Sequence, residues 1–131
     1  MIKKPHSPSE LMGYFINPFE TLMKRYIKLN PGLGITQDAE DSLLKLISQK
    51  GTEHESKVYK SLVGKYQTSI TIKNEDRALM IEATISAMAS GIELIYQGAL
   101  SDSIFFGLPD FLIKEEGTSN FGDYQYKILD A

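Results

Sequence analysis

The chain has 131 residues, a net charge of -3, 42% apolar and 24% charged residues, and no cysteine. That length and balance suit one soluble globular domain with its own core. The missing cysteine excludes disulfides, thiolate zinc sites and an iron–sulfur cluster, and the charge advertises no global field for nucleic acid, though a nuclease metal site needs carboxylates in any case. No apolar run approaches the roughly 20 residues of a bilayer span, and the N-terminus lacks an apolar signal core, so the expectation is a cytoplasmic protein with no membrane partner.

Taken in order, Ser7-Pro8-Ser9-Glu10 is a helix start: Ser7 caps, Pro8 suits the first helical position, and Glu10 stands where a capping box wants it. Leu11, Met12, Tyr14 and Phe15 supply its apolar face. Asn17-Pro18-Phe19-Glu20 repeats the signal, predicting a second helix to about Ile27 with Leu22, Met23 and Tyr26 inward and Lys24, Arg25 and Lys28 on a solvated outer face. Asn30 to Gly34 is a loop. A long helix is expected from about Ala39 to Tyr66. Stepping by threes and fours from Ile47 reaches Gly51, His54, Val58 and Leu62, which places His54 on the inward stripe with Glu55 beside it. A lone histidine on an apolar face is usually a satisfied core residue. A carboxylate on the same edge is costly to bury unless it is paired or binds a metal.

Thr68 to Lys73 reads as a strand. Asn74 is expected to cap a helix with Glu75 and Asp76 in its first turn, and Gly91 to stop it. Ile92 to Leu100 and Ile104 to Ile113 read as strands around the turn Ser101-Asp102-Ser103. Leu108 to Lys114 and Tyr124 to Leu129 then flank the Gly/Ser/Asn/Asp cluster of residues 116–123, which predicts a β-hairpin. With the loop centred near Asn120, Leu112 faces Ile128 and Asp110 faces Asp130 on one side of the sheet. Two carboxylates opposed across strands roughly 4.8 Å apart repel, and such a pair is kept cheaply only with a cation between them or a proton on one. A slip of one residue would separate them. The structural alternative is that Asp110 merely begins a strand after Pro109 and Asp130 is a solvated strand end.

The order of elements is helix, helix, long helix, strand, helix, then three strands. It predicts an α/β fold: N-terminal helices, then a mixed, mainly antiparallel sheet flanked by helices. The last strand is expected to be central, and the stop after Ala131 then reads as truncation of a single domain, with residues 1–37 an N-terminal helical segment and 38–131 its core.

Several stretches carry a resemblance: Ser7-Pro-Ser-Glu-Leu-Met-Gly-Tyr-Phe15, Asn17-Pro-Phe-Glu-Thr-Leu-Met-Lys-Arg-Tyr26, Gly51-Thr-Glu-His54-Glu55, Thr84 to Leu100, Phe106-Gly-Leu-Pro-Asp110-Phe-Leu112, and Gly122 to Ala131. In this order they resemble the N-terminal part of the RecB-like nucleases of the PD-(D/E)XK superfamily, a group often fused to a helicase-type ATPase. The resemblance implies a restriction-endonuclease-like core hydrolysing DNA, or RNA in its place, with a helicase-type ATPase as partner in cis or in trans. It implies His54, Asp110 and Asp130 as catalytic ligands of Mg²⁺ or Mn²⁺, with Glu55 as an accessory ligand. The lysine two residues after Asp130 in that family falls beyond Ala131, which implies a weak or inactive chain that still binds metal. Asn17 stands where many relatives carry an iron–sulfur cysteine. The alternative function is a non-catalytic module docking on nucleic acid or on a helicase. A third reading is a gene fragment with no function of its own, prone to associate through the edge at Tyr124 to Leu129.

Overall fold

A computed structural model describes residues 4–35, 42–73 and 76–131. Helix α1 (Pro8–Ile16) starts where the sequence places it, with Ser7 Oγ accepting the Glu10 N–H at 3.1 Å. Helix α2 (Pro18–Leu29) starts in the same way on Asn17, and runs two residues past the expected end. The two helices cross tightly at Gly13, where a Cβ would lie 2.8 Å from Thr21 Oγ1. Leu22 and Tyr26, expected inward, are exposed, because no other element among the described residues covers that face of α2. The hairpin is tied to the body at its start. His6 bridges Phe105, with its N–H on the Ile104 carbonyl and its carbonyl taking the Phe106 N–H, both at 2.9 Å.

Helix α3 (Ser42–Val63) ends three residues short of Tyr66; residues 39–41 lie outside the described set. Its C-terminal half packs on the body, through Val58, Tyr59, Leu62 and Val63. Leu43, Leu44, Leu46 and Ile47 are exposed. His54 is exposed as well, which corrects its expected inward place: the stripe is real, but no element among the described residues covers it there.

Strand β1 (Ser69–Thr71) leads to α4 (Arg77–Ala89), whose cap is Asp76, accepting the Leu79 N–H at 3.2 Å. The expected cap Asn74 and its neighbour Glu75 lie outside the described residues. The helix ends as the sequence predicts. Gly91 takes φ +75°, and the N–H groups of Gly91 and Ile92 return to the carbonyls of Met88 and Ala87. This is the Schellman arrangement, which needs a residue free to adopt the left-handed region.

The strands expected over 92–100 and 104–113 are each broken in two. β2 (Leu94–Tyr96) stops at Gln97, where φ is +56°, and β3 (Leu100–Ser101) follows. β4 (Phe106–Gly107) stops before Leu108-Pro109, since proline has no N–H for a ladder, and β5 (Phe111–Ser119) follows. β3 and β4 pair with each other, apart from the main sheet, around the Asp102 turn, whose carboxylate accepts the N–H groups of Ile104 and Phe105. The main sheet has the order β1-β2-β5-β6, with β1 and β2 parallel and the rest antiparallel. The last strand, β6 (Gly122–Leu129), is therefore an edge strand rather than the central one expected; β5 takes the interior place.

Alternation along β2 and β5 divides the core between two faces. Leu94, Phe111 and Ile113 turn toward α3, while Ile95 and Leu112 turn toward α4 with Ile72 and Ala87. Tyr96 stacks between Tyr59 and Phe111, with ring centroids 4.4 and 5.1 Å away. The architecture is thus α/β, a mixed sheet with one helix on each face. Among the described residues no helix is long and apolar enough to cross a membrane.

One buried hydroxyl joins α4 to the break after β2. Thr84, fully buried, donates to the Met80 carbonyl at 2.8 Å and accepts the Ala99 N–H at 2.9 Å. Gly98 permits this approach, since a Cβ there would sit 3.2 Å from Thr84 Cγ2. Replacing Thr84 by valine keeps the shape but leaves the Ala99 N–H unpaired, so Thr84→Val is expected to cost about 1–3 kcal/mol, read from the urea midpoint.

Tyr126 reports on the opposite edge. Its hydroxyl donates to the Ile92 carbonyl at 2.6 Å, and burial, followed by the neighbouring Tyr124, pushes the phenol up to about 12 from 10.0. Because the folded state holds the proton more tightly, this contribution is fully present below about pH 10 and is lost as pH rises toward 12. Denaturation midpoints measured through that window should fall with pH, and Tyr126→Phe should flatten the fall.

Candidate carboxylate site

The site lies where regular pairing of β2, β5 and β6 runs out. Register across β5 and β6 sets Phe111 opposite Leu129 and Leu112 opposite Ile128, as the sequence predicts, so Asp110 and Asp130 stand opposed at the next step. Their backbones and carboxylates interlock. Asp110 Oδ2 accepts the Ala131 N–H at 2.9 Å, and Asp130 Oδ1 accepts the Asp110 N–H at 3.4 Å, a long and weak bond. These amides place positive dipole ends against two like charges and offset part of their repulsion. The remaining oxygens, Asp110 Oδ1 and Asp130 Oδ2, have no hydrogen-bond partner among the described residues.

Asp110 is half-buried and lines a cleft of about 380 Å³ with Glu55, Lys73, Gln97 and Pro109. Asp130 is exposed and faces the adjoining, mostly apolar groove of about 590 Å³ on the α4 side; the Leu108-Pro109 segment borders both spaces. Glu55 reaches the cleft from α3, and His54, one residue earlier on the helix, is not among its lining residues. The structure therefore brings together Asp110 and Asp130, brings Glu55 to the same cleft as Asp110, and leaves His54 exposed on α3.

Gln97 links the two sides. Its N–H donates to the Asp110 carbonyl at 2.8 Å, while its side-chain amide donates to Glu55 Oε1 at 3.3 Å. It does so from a left-handed backbone, φ +56°, a conformation that costs a non-glycine residue energy and recurs where a structure must aim a side chain. Tyr96 adds a phenol that burial first, then its hydrogen bond to Glu55 and the charges of Glu55 and Asp110, push above its ordinary range. Its hydroxyl accepts the Gln97 side-chain amide at 3.3 Å. Sequence reasoning missed Tyr96, Gln97 and Lys73. The one signal was the Gln97-Gly98 pair inside an apolar run, which marks a strand break.

The donor set is all oxygen, which suits Mg²⁺ and Mn²⁺. As the side chains stand, no three His, Asp or Glu groups among the described residues are close enough together to hold a metal ion. Two opposed carboxylates with a third across the cleft fit such an ion only after side-chain rotation toward one another. Comparison with protein-family models, curated proteins and solved structures gives no significant match to this chain.

Proposed function

We propose that the chain carries the acidic site of a metal-dependent nuclease, a RecB-like PD-(D/E)XK core that hydrolyses DNA phosphodiester bonds. The observation that carries this reading is the β5–β6 register, which opposes Asp110 and Asp130 at the end of the sheet with Glu55 on the neighbouring helix. Asp110 and Asp130 would hold Mg²⁺ or Mn²⁺, with Glu55 as the third carboxylate in place of His54. Such an ion supplies Lewis-acid polarisation of a phosphate and lowers the pKa of water. The chain's own residues do the rest. Gln97 holds Glu55 in orientation by a hydrogen bond and donates to the Tyr96 hydroxyl as well. Lys73, exposed at the rim, offers positive charge to a phosphate entering beside Asp110. The backbone amides of Asp110 and Ala131 fix one oxygen of each carboxylate so that the other is left for a ligand.

A second reading is favoured by a different observation. The α1–α2 hairpin leaves Phe15, Ile16 and Phe19 exposed at 75, 79 and 74%. A non-catalytic module could dock a helicase-type ATPase or nucleic acid on that surface. Mn²⁺ titration by calorimetry separates the two. The nuclease reading expects saturable binding that Asp110→Ala abolishes, that Glu55→Ala weakens by about tenfold, and that His54→Ala leaves unchanged. No binding, together with metal-independent capture of labelled DNA that Asp110→Ala does not alter, would leave only the docking module.

A further inference from the structure

Among the described residues β6 is an unpaired edge of the main sheet, and its outward backbone groups can be identified. In the wide pairs of an antiparallel ladder, both residues turn their N–H and C=O away from each other. Lys114 gives its N–H to the Glu93 carbonyl at 2.9 Å, in the direction of β2, and it is paired with Tyr126 on the other side. Tyr126 therefore turns its N–H and C=O outward, and by the two-residue period so does Ile128. Nearer the turn the ladder is irregular between Glu116 and Ser119, and the Tyr124 carbonyl accepts Ser119 Oγ of β5 at 2.6 Å. Such a row is a template for another strand.

The side chains select which strand. Consider a second β6 laid antiparallel against the first and related by a two-fold axis normal to the sheet. Every residue keeps its face, so the pairing must be centred on a residue that meets its own copy. Centring on Asp123 or on Lys127 sets a charge against itself, which is unfavourable. Centring on Tyr124 or on Tyr126 leaves both charges opposite uncharged residues. Centring on Gln125 sets Asp123 against Lys127 of the partner subunit, twice by symmetry, and Tyr124 against Tyr126 of the partner subunit, also twice. Asp123 is exposed and has no ion pair among the described residues. Lys127 reaches Glu115 only at 3.7 Å, with its side chain 56% exposed.

The geometry points to a two-fold dimer in which β6 pairs with β6 of a second copy, centred on Gln125, so that four strands from each copy form one continuous sheet. In this register Asn120 of the partner subunit falls opposite Asp130, and the hairpin turn of one copy flanks the carboxylate end of the other. The inference does not depend on the nuclease reading.

Sedimentation equilibrium on the whole chain, over a concentration series into the millimolar range, tests it. The wild-type chain is expected to dimerise. Asp123→Lys, at an exposed position, turns two attractive pairs into repulsive ones and is expected to raise the dimer Kd by about tenfold or more. Lys127→Asp does the same, and circular dichroism checks that both variants fold. An equimolar mixture of the two variants should recover a dimer of wild-type strength, because each then carries the charge the other lacks. A monomeric wild type, a dimer indifferent to Asp123→Lys, or a mixture no tighter than either variant alone would overturn the proposal.

Discussion

The register of β5 against β6 is the constraint from which the candidate site follows. It is held by burial on both faces of β5 and by Tyr126 on β6. Phe111, Leu112 and Ile113 are all buried, the first and third against α3 and the second against α4. A slip of one residue would send Phe111 and Ile113 into the space shaped for Leu112, and Leu112 into the stack with Tyr96 and Tyr59. Cores packed to crystal-like density do not absorb such an exchange. The opposition of Asp110 and Asp130 is therefore not a free choice of the strand ends. Apolar packing one and two residues from Asp110 fixes β5, and Tyr126, packed on the α4 side with its hydroxyl on the Ile92 carbonyl, fixes the face that β6 presents.

Regular structure stops just where the polar chemistry begins. Gln97 leaves β2 through a left-handed turn, Pro109 has no N–H to extend β4, and the ladder closes at Phe111 and Leu129. Thr84 and Gly98 hold this broken segment against α4 by a buried hydroxyl and a close approach. The result is a rigid frame that ends in short, fixed side chains. Gln97 spans the gap to Glu55 on α3, so the helix side and the sheet side of the cleft are coupled through one residue whose backbone is strained.

Local chemistry was legible in the sequence. The caps at Ser7 and Asn17, the glycine stop at Gly91 and the Asp102 turn each depend on a few adjacent residues and stand where they were read, while the closing hairpin keeps the expected register but its strands run into the expected loop, to Ser119 and from Gly122. The hairpin register was legible from the two apolar runs and a centre near Asn120, although the turn alone does not set it: Ser119 pairs with Gly122, and the irregularity between Glu116 and Ser119 shifts the ladder by one residue to bring Leu112 opposite Ile128. What periodicity could not supply was the identity of the covering element. The stripes through Tyr26 and through His54 are apolar in sequence, but a stripe says which residues share a face, not whether anything lies against it. The sheet order was hidden for a related cause. The excursion through β3 and β4 places β5 beside β2 and pushes β6 to the edge, a consequence of long-range pairing that no window of sequence contains. Gln97, Tyr96 and Lys73 were missed because they reach the cleft through strand order rather than through a motif.

The central claim is that Asp110 and Asp130 form one cation-attracting pair at the end of the sheet. Paramagnetic broadening of backbone amide signals by substoichiometric Mn²⁺ tests it most directly, because the effect falls steeply with distance and reports position, not merely affinity. The account predicts selective loss of the Asp110, Asp130 and Ala131 signals, with Gln97 weakened and the outer face of α3 around His54 spared. Broadening centred on His54 or on any other carboxylate, or no selective broadening at all, would contradict it.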